Sequence, residues 1–531
     1  MKSIAKIFSA VAIVAIGMMS SCTESMVPEG GDYKNVSSDP AYFAINLGMG
    51  GNSATYAYVE TAAGTAQEQL VDALYILLYS QAADTLVYRI QVMATNNNSG
   101  SLVNFNGAGA SSEGTPSTSS VRSIGYQVVP ADYYMVVMAN PTAAMMTATN
   151  PAGTPEKLTD FLAVDNDVVT AIPTNDISIA PTVRFPMTNN RGPIAVAATD
   201  LKATQTLAEQ SPVSVDLDRT VAKIEALLTP LTDFERGFTG NMIDNIAAGI
   251  ILAYQNLTWD LDIINKLSYR LRGAANAYNG SPETPTTTRQ NLYATDPNMS
   301  EVTVSGGAPY TDNFSAANIN TAYVTAAKKA LNVAPGTTMA YATENTLNLA
   351  VQADGTWETQ ATSVIVKLQL IPKHPSLTAT SWTTGYYSVD GFVFTHAEAV
   401  NWVEGNQPIP SNAPSVVTLT NLKANAWFWN GTIAVAANPG NYTVSELGSG
   451  AGAVKLIFHY NSWNVYRIPI RHFDFYPNGQ AQYGHFGVVR NNWYKVSINS
   501  ISGPGDGSSD KFISADVTIL PWLVRSQVED L

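Results

Sequence analysis

The sequence predicts an all-β protein built as two β-sandwich domains with short connecting helices. Runs of alternating apolar and polar residues recur along most of the chain. Charged residues make up only 13 % of the sequence, against about 25 % in typical domains, and Ala, Thr, Asn, Ser and Gly take their place. That composition suits strands and turns better than surface helices. The 531 residues are too many for one core, which predicts two or more domains.

The N-terminus carries an export signal. Lys2 and Lys6 precede an apolar stretch at residues 7–19, and two serines lead up to Cys22. The stretch is shorter than the roughly 20 residues that span a bilayer, which predicts a cleaved signal at residues 1–21. Cys22 is the only cysteine, and small residues before it resemble a bacterial lipobox, which implies acylation of its thiol, for example with palmitate. The alternative is an ordinary secretory signal that happens to contain a cysteine.

The first strand is predicted directly after a tether at residues 22–40. Phe43, Ile45, Leu47 and Met49 alternate with less apolar neighbours, and glycines end the strand. A polar stretch that ends in proline then predicts a boundary at residue 212, so that the two domains cover residues 41–212 and 213–531.

Further elements follow along the chain. The apolar runs 70–79 and 85–93 predict paired strands, and 126–138 predicts strand on either side of Pro130. A loop with a short helix is expected over 141–158, and a longer helix over 322–331. Later strands are predicted at residues 246–259, 364–370, 454–460, 466–470, 493–501 and 514–520.

Motifs for catalysis, cofactors or metals are not found. The five histidines show no zinc-hydrolase spacing, and His472 with Asp474 would give only two ligands, so a surface strand pair is the preferred interpretation. Nucleotide-binding loops and nucleophile elbows are missing too. The net charge of −14, without a run of Lys and Arg, argues against nucleic acid. We therefore expect no enzyme, no cofactor and no metal.

A cluster of aromatic residues leaves two interpretations open. Trp427, Phe428 and Trp429 are adjacent, and aromatic faces can stack on sugar rings. A lipid-anchored glycan-binding protein is therefore an alternative function. The preferred interpretation is that these rings fill a sandwich core.

The C-terminus predicts a strand without a partner in its own domain. Val517 and Ile519 alternate with polar residues until Pro521, which lacks an N–H and should separate two strand pieces. Beyond it, Trp522, Val524 and Val528 fall on one face. Such a strand could complete the sheet of another molecule through main-chain hydrogen bonds.

Several short stretches, taken in their order and spacing, carry a resemblance to a known family. They are RTVAKI at 219–224, IAAG at 246–249 running to Trp259, ENT at 344–346, VKLQLIPK at 366–373, VRNN at 489–492 with Tyr494, and VTILPW at 517–522 with the ending VEDL at 528–531. Together they resemble the fimbrillins of the type V pili of Bacteroidota, most closely the major subunit of the short, Mfa-type fimbriae. With the lipoprotein signal, the resemblance covers nearly the whole chain, and it is weakest over 96–210.

The resemblance implies two transthyretin-like β-sandwich domains, export as an outer-membrane lipoprotein and assembly by donor-strand exchange. In that family a trypsin-like protease removes the leader with the first strand, and the C-terminal strand of another subunit fills the groove. Carried over here, residues 41–50 would leave, and the donor within 515–531 would present Trp522, Val524, Val528 and Leu531. The implied partners are other copies of the chain, other fimbrial subunits, the outer membrane through Cys22, and a host or bacterial surface ligand for adhesion.

One departure from the family pattern leaves the maturation open. Cleavage in the family usually follows an arginine after the first strand, yet no Lys or Arg lies between Lys34 and Arg89. Either a protease of different specificity cuts within residues 50–64, or the subunit is never opened and acts as an anchor or accessory subunit.

Overall fold

The computed structural model describes the chain in separate stretches. They are residues 40–48, 62–63, 68, 71, 73–93, 121–149, 156–162, 164–165, 184–190, 192–228, 253–265, 268–271, 313–314, 329–330, 339–346, 361–371, 385–424, 442–472, 486–501, 503–505 and 513–523.

These residues form strands in several sheets, with a few short helices in the connections, so the predicted all-β class is confirmed. The strands are β1 Ala41–Phe43, β2 Ile45–Gly48, β3 Ala62–Ala63, β4 Leu74–Ser80, β5 Leu86–Met93, β6 Val121–Arg122, β7 Tyr126–Val128, β8 Tyr133–Ala139, β9 Val164–Asp165, β10 Met187–Asn189, β11 Ile194–Val196, β12 Val213–Arg219, β13 Ala222–Leu228, β14 Ala253–Asp262, β15 Ile264–Asn265, β16 Ser268–Tyr269, β17 Asn313–Phe314, β18 Lys329–Ala330, β19 Ala340–Ala342, β20 Asn345–Thr346, β21 Ser363–Ile371, β22 Tyr386–Val389, β23 Phe392–Phe394, β24 Tyr442–Leu447, β25 Val454–His459, β26 Trp463–Pro469, β27 Gly487–Val488, β28 Asn492–Ile501 and β29 Ile513–Leu523. The α-helices are α1 Ala143–Ala148, α2 Leu158–Phe161, α3 Gln205–Gln210, α4 His396–Glu404 and α5 Leu419–Ala424. None of the helices in the described stretches is long and apolar enough to cross a membrane.

The first part of the chain builds one large sheet around the first core. Its strands lie in the order β5-β4-β8-β10-β12-β2-β6, with β11 also paired to β8. Every pair is antiparallel except β12 with β2. Strand β4 is a continuous apolar run, and it is buried from Leu74 to Tyr79, which means that both of its faces are covered.

The second part forms a sandwich of two sheets. One sheet has the order β19-β13-β28-β29-β3 and the other β18-β14-β21-β26. Ile224 and Val496 of the first sheet meet Trp259, Val364 and Val366 of the second in one buried cluster. This cluster is the second core.

A smaller sheet with its own core lies between β21 and β26 in the chain, and it was not predicted from the sequence. Its order is β23-β22-β25-β24, and α4 and α5 pack with it around Phe394, Trp402 and Phe458. Helix α4 begins at a capping box, in which the hydroxyl of Thr395 accepts from the amide of Glu398 while the Glu398 carboxylate accepts from the amide of Thr395.

Most predicted strands are confirmed. Strands β4 and β5 pair as expected for residues 70–79 and 85–93, β7 and β8 lie on either side of Pro130, and α1 is the short helix expected within 141–158. The helix expected at 322–331 lies mostly outside the described residues. The part that is described, Lys329–Ala330, forms β18 instead.

The step from the first sheet to the second comes slightly later than the predicted domain boundary. Residues 213–219 form β12, which pairs with β2 and β10 of the first sheet, and β13 then enters the second sandwich. Only Thr220 and Val221 lie between the two strands. An apolar pattern marks a strand but does not tell which sheet accepts it. The division into two domains itself stays a prediction.

Strand β29 runs through Pro521, so the predicted break there was wrong. Pro521 pairs with Asn492, the first residue of β28, and is the last residue of that ladder. Beyond it, Trp522 and Leu523 pair with β3 on the other edge of the strand. The proline therefore lies where the strand changes partner and its missing N–H is tolerated.

Candidate functional site

The first strand, formed by β1 and β2, is held on both sides by backbone pairing. Strand β2 lies between β12 and β6. The amide of Val213 donates to the carbonyl oxygen of Ala44 over 2.8 Å, and the amide of Ser123 donates to the carbonyl oxygen of Ile45 over 2.8 Å. The amide of Ile45 in turn donates to the Ser123 hydroxyl over 2.9 Å. Removing this strand would expose two backbone edges, each able to pair with a new strand.

The apolar side chains of the first strand fill the first core. Phe43, Ile45 and Leu47 are 3 %, 0 % and 1 % exposed, whereas Asn46 between them is half-buried. The Phe43 ring packs against Tyr126 with its centroid 5.9 Å away. Burial of such side chains stabilises by about 1.5–3 kcal/mol each. The strand therefore occupies a groove with three deep apolar positions.

The last described strand, β29, pairs with strands of the same chain. Strand β29 pairs with β28 along almost its whole length, and Ala515, Val517 and Ile519 pack against the second core. The backbone of Trp522 pairs with Ala62 of β3. Residues 513–523 are thus occupied within the chain, and the part of the predicted donor that could reach another molecule without breaking a described pair is 524–531.

Several residues singled out from the sequence lie outside the described residues, and their roles stay predictions. They are Cys22, Met49, Trp427, Phe428, Trp429, Asp474, Val524, Val528 and Leu531.

The histidine considered as a metal ligand is part of the interior. His472 is buried, and its Nδ1 lies 2.6 Å from the hydroxyl oxygen of Tyr494. The same hydroxyl accepts from the amide of Val489 over 2.8 Å. Across the described stretches, no group of three or more His, Cys, Asp or Glu side chains could hold a metal ion. The surface strand pair expected for His472 was wrong, because the residue is buried and its ring contacts Tyr494 of the second core.

Residues in or near the stretches that carry the family resemblance meet where the first core packs on the second sandwich. Tyr341 of β19, Lys223 of β13 and Trp493 of β28 are direct neighbours across the five-stranded sheet. They lie on the face opposite to Ile224, since successive side chains of a strand alternate. Tyr341 and Trp493 belong to the cluster of the first core. This row of three residues, the junction row, is therefore the surface on which the first core rests.

Arg219 extends the polar contacts of the junction row. Its guanidinium donates to the carbonyl oxygen of Glu68 over 3.1 and 3.2 Å and to Oδ1 of Asn491 over 3.3 Å. Asn491 then donates from Nδ2 to Asp218 over 2.8 Å. Burial lowers the pKa of Arg219 to about 10, although the charge of Glu68 opposes this shift. Arg219 is therefore a buried cation at neutral pH.

A second line of buried charges crosses the same junction. Arg490 forms an ion pair with Glu344 at 2.7 Å and donates to the carbonyl oxygen of Tyr269 over 2.7 Å. Arg270, which follows Tyr269 in the chain, forms an ion pair with Glu156 at 2.7 Å. Burial raises the pKa of Glu156, and the hydrogen bond and charge of Arg270 oppose the rise. Side chains from both parts of the chain thus balance each other's charge.

Replacing Arg490 with Met is expected to destabilise the chain by about 3–5 kcal/mol, because Glu344 would keep a buried charge without its cation. Urea unfolding followed by circular dichroism measures the loss. The double variant Arg490→Met with Glu344→Leu removes both charges and should recover part of it. Arg471→Met, at an exposed arginine, is the control and should change stability by less than about 1 kcal/mol. A loss at Arg490 no larger than the control would contradict this account.

Glu68 and Glu156 were not singled out from the sequence. Ion pairs between residues more than a hundred positions apart have no local pattern. The one usable sign is that Glu68 lies in the long stretch without Lys or Arg between Lys34 and Arg89. An acidic residue there needs a cation from elsewhere once it is buried.

The C-terminal part of the chain matches a family model. Residues 458–528 match the model described as major fimbrial subunit protein type IV, fimbrillin, C-terminal. The resemblance stated from the sequence is confirmed over this segment, which contains β26 to β29. No curated protein matches the chain.

Solved structures of fimbrial proteins align with most of the chain at low identity. The tip fimbrial protein Mfa3 from Porphyromonas gingivalis, with a C-terminal truncation, is 11 % identical, with 91 % of this chain and 100 % of that chain covered and a TM-score of 0.38. A fimbrilin, FimA, from Porphyromonas gingivalis W83 is 12 % identical, with 92 % and 98 % covered and a TM-score of 0.34.

Proposed function

We propose that this chain is a structural subunit of a cell-surface fimbria, exported as a lipoprotein and polymerised by donor-strand exchange. The observation that carries the proposal is the first strand, which pairs with β7, β12 and β6 and buries three apolar side chains. The match of residues 458–528 to the fimbrillin C-terminal model supports it independently.

In the proposed assembly, the leader and first strand are removed and the vacated groove accepts residues 524–531 of another copy or of another fimbrial subunit. Main-chain hydrogen bonds to the edges of β12 and β6 would supply affinity. Apolar side chains of the donor would enter the positions left by Phe43, Ile45 and Leu47. Val524 and Val528 are the donor residues assigned to these positions, with Trp522 at the base of the tail.

The proposed location follows the chain through export. Acylation of Cys22 would hold the precursor in the outer membrane, and cleavage would release the subunit into an extracellular fimbrium that supports adhesion. No Lys or Arg lies between Lys34 and Arg89, so a protease that cuts after basic residues cannot open this subunit between the first strand and β4. That observation favours one alternative, an anchor or accessory subunit that keeps its lipid and its first strand.

Mass spectrometry of the mature protein from cell-surface material tests the proposal. We expect an N-terminus within residues 50–64, which would show that the first strand has left. A mature chain that starts at acylated Cys22 would contradict the polymerising role and identify an anchor or monomeric surface protein. An unacylated start just after the signal would contradict the lipid anchor as well.

A further inference from the structure

Glu68 places a buried carboxylate on the junction row. Its Oε2 lies 2.9 Å from Nζ of Lys223, and its Oε1 accepts a hydrogen bond from the Tyr341 hydroxyl over 2.5 Å. The Lys223 ammonium also lies 3.7 Å from the centre of the Trp493 ring. Glu68 is only 1 % exposed. Both carboxylate oxygens are thus engaged by side chains of adjacent strands in one sheet.

The group consists of a buried ion pair between Glu68 and Lys223 and a hydrogen bond that Tyr341 donates to Glu68. Burial lowers the pKa of Lys223, and the nearby charge of Glu68 opposes that shift. Burial raises the pKa of Tyr341, and the charge of Glu68 raises it further. Tyr341 therefore stays protonated and can donate. If Glu68 moved away, the Lys223 cation would stay buried without its counter-charge, which is costly.

The two sides of this contact come from different parts of the fold. Glu68 lies just before β4, and Val71 and Leu74 after it are buried in the first core. Its partners stand on β13 and β19, whose opposite face builds the second core. Phe185 of the first core adds a ring contact with Tyr341, at 4.8 Å between centroids. The segment that leads into the first core is therefore bound to the second sandwich through the buried side chain of Glu68.

We propose that Glu68, Lys223 and Tyr341 form a latch that makes the first core and the second sandwich unfold as one unit. Opening either core alone would separate Glu68 from Lys223 and leave a charge unpaired, so the two openings are coupled. The latch does not depend on the proposed fimbrial function. Because Glu68 follows residues 50–64 in the chain, removal of the first strand would leave the latch on the body of the protein.

Native-state hydrogen exchange of the full chain tests the latch. Backbone amides of β4 report the opening of the first core, and backbone amides of β21 report the opening of the second core. In the unmodified chain the slowest exchange rates of the two strands should agree within about threefold, as expected for one cooperative unit. In Glu68→Gln they should diverge by about tenfold or more. Tyr341→Phe, which keeps the ion pair, should cause a smaller divergence and serves if Glu68→Gln does not fold.

Asp262→Asn is the matched control, since Asp262 pairs with Arg467 inside the second sandwich and both are buried there. Loss of this ion pair should increase the exchange rates of both strands equally, because the latch is intact in this variant. Rates that stay together in both Glu68→Gln and Tyr341→Phe would overturn the latch. Strands that already differ more than tenfold in the unmodified chain would overturn it too.

Discussion

Ending the chain after Leu523 is expected to abolish high-mass polymers while the subunit still folds. The truncation leaves β29 whole, with its ladder to β28 and the pairing of Trp522 and Leu523 with β3. It removes residues 524–531, which in the proposed assembly supply the strand that enters another subunit. In the proposed assembly, the donor strand supplies the main-chain hydrogen bonds between two subunits. Without it, we expect the contact between subunits to be lost and not merely weakened. Gel electrophoresis of unheated cell-surface material measures the polymer ladder.

Two point variants test whether the apolar face of residues 524–531, and not merely the length of the chain, is needed for polymers. Val528→Asp places a charge on the face predicted to enter the groove, and Gln527→Asp places the same charge on the opposite face. We expect polymers to disappear in the first variant and to persist in the second. Persistence of polymers in the truncated chain would exclude residues 524–531 as the donor.

The parts of the fold that could be predicted are those determined by neighbours in sequence. The alternation of Phe43, Ile45 and Leu47 predicted a strand with one buried face, and the structure buries all three. The two apolar runs that became β4 and β5 lie next to each other in the chain, and they pair. In both cases a local pattern is enough, because strand periodicity and a short connection need no information from elsewhere.

The parts that could not be predicted depend on contacts between distant residues. Strand β12 joins β2 in parallel over more than 160 positions, so its apolar pattern alone could not say which sheet would accept it. Glu68 meets Lys223 across 155 positions. Pro521 was expected to end a strand because it lacks an N–H, but its place at the end of the β28 ladder makes that N–H unnecessary. Each of these three failures concerns the pairing partner of a residue and not the character of the residue itself.

Replacing Ile45 with Ala in the full-length precursor is expected to lower its stability by about 2–4 kcal/mol. Ile45 is fully buried in the first core, and truncating a buried Ile leaves a cavity as well as losing the transfer free energy. Asn46→Ala changes the neighbouring residue of the same strand, which is half-buried, and should cost less than about 1 kcal/mol. Urea unfolding of the two purified precursors against the unmodified chain measures the difference.

The same substitution should have no effect on the assembled polymer. If residues 41–50 are removed before assembly, polymers made from Ile45→Ala and from the unmodified chain contain identical subunits and must dissociate at the same temperature. If the first strand stays, the polymer keeps the cavity at position 45 and should dissociate at a lower temperature, in line with the weakened precursor. A loss of stability confined to the precursor therefore requires that the first strand leaves. An equal loss in the precursor and the polymer would mean that this groove is never vacated and that subunits are joined by some other surface.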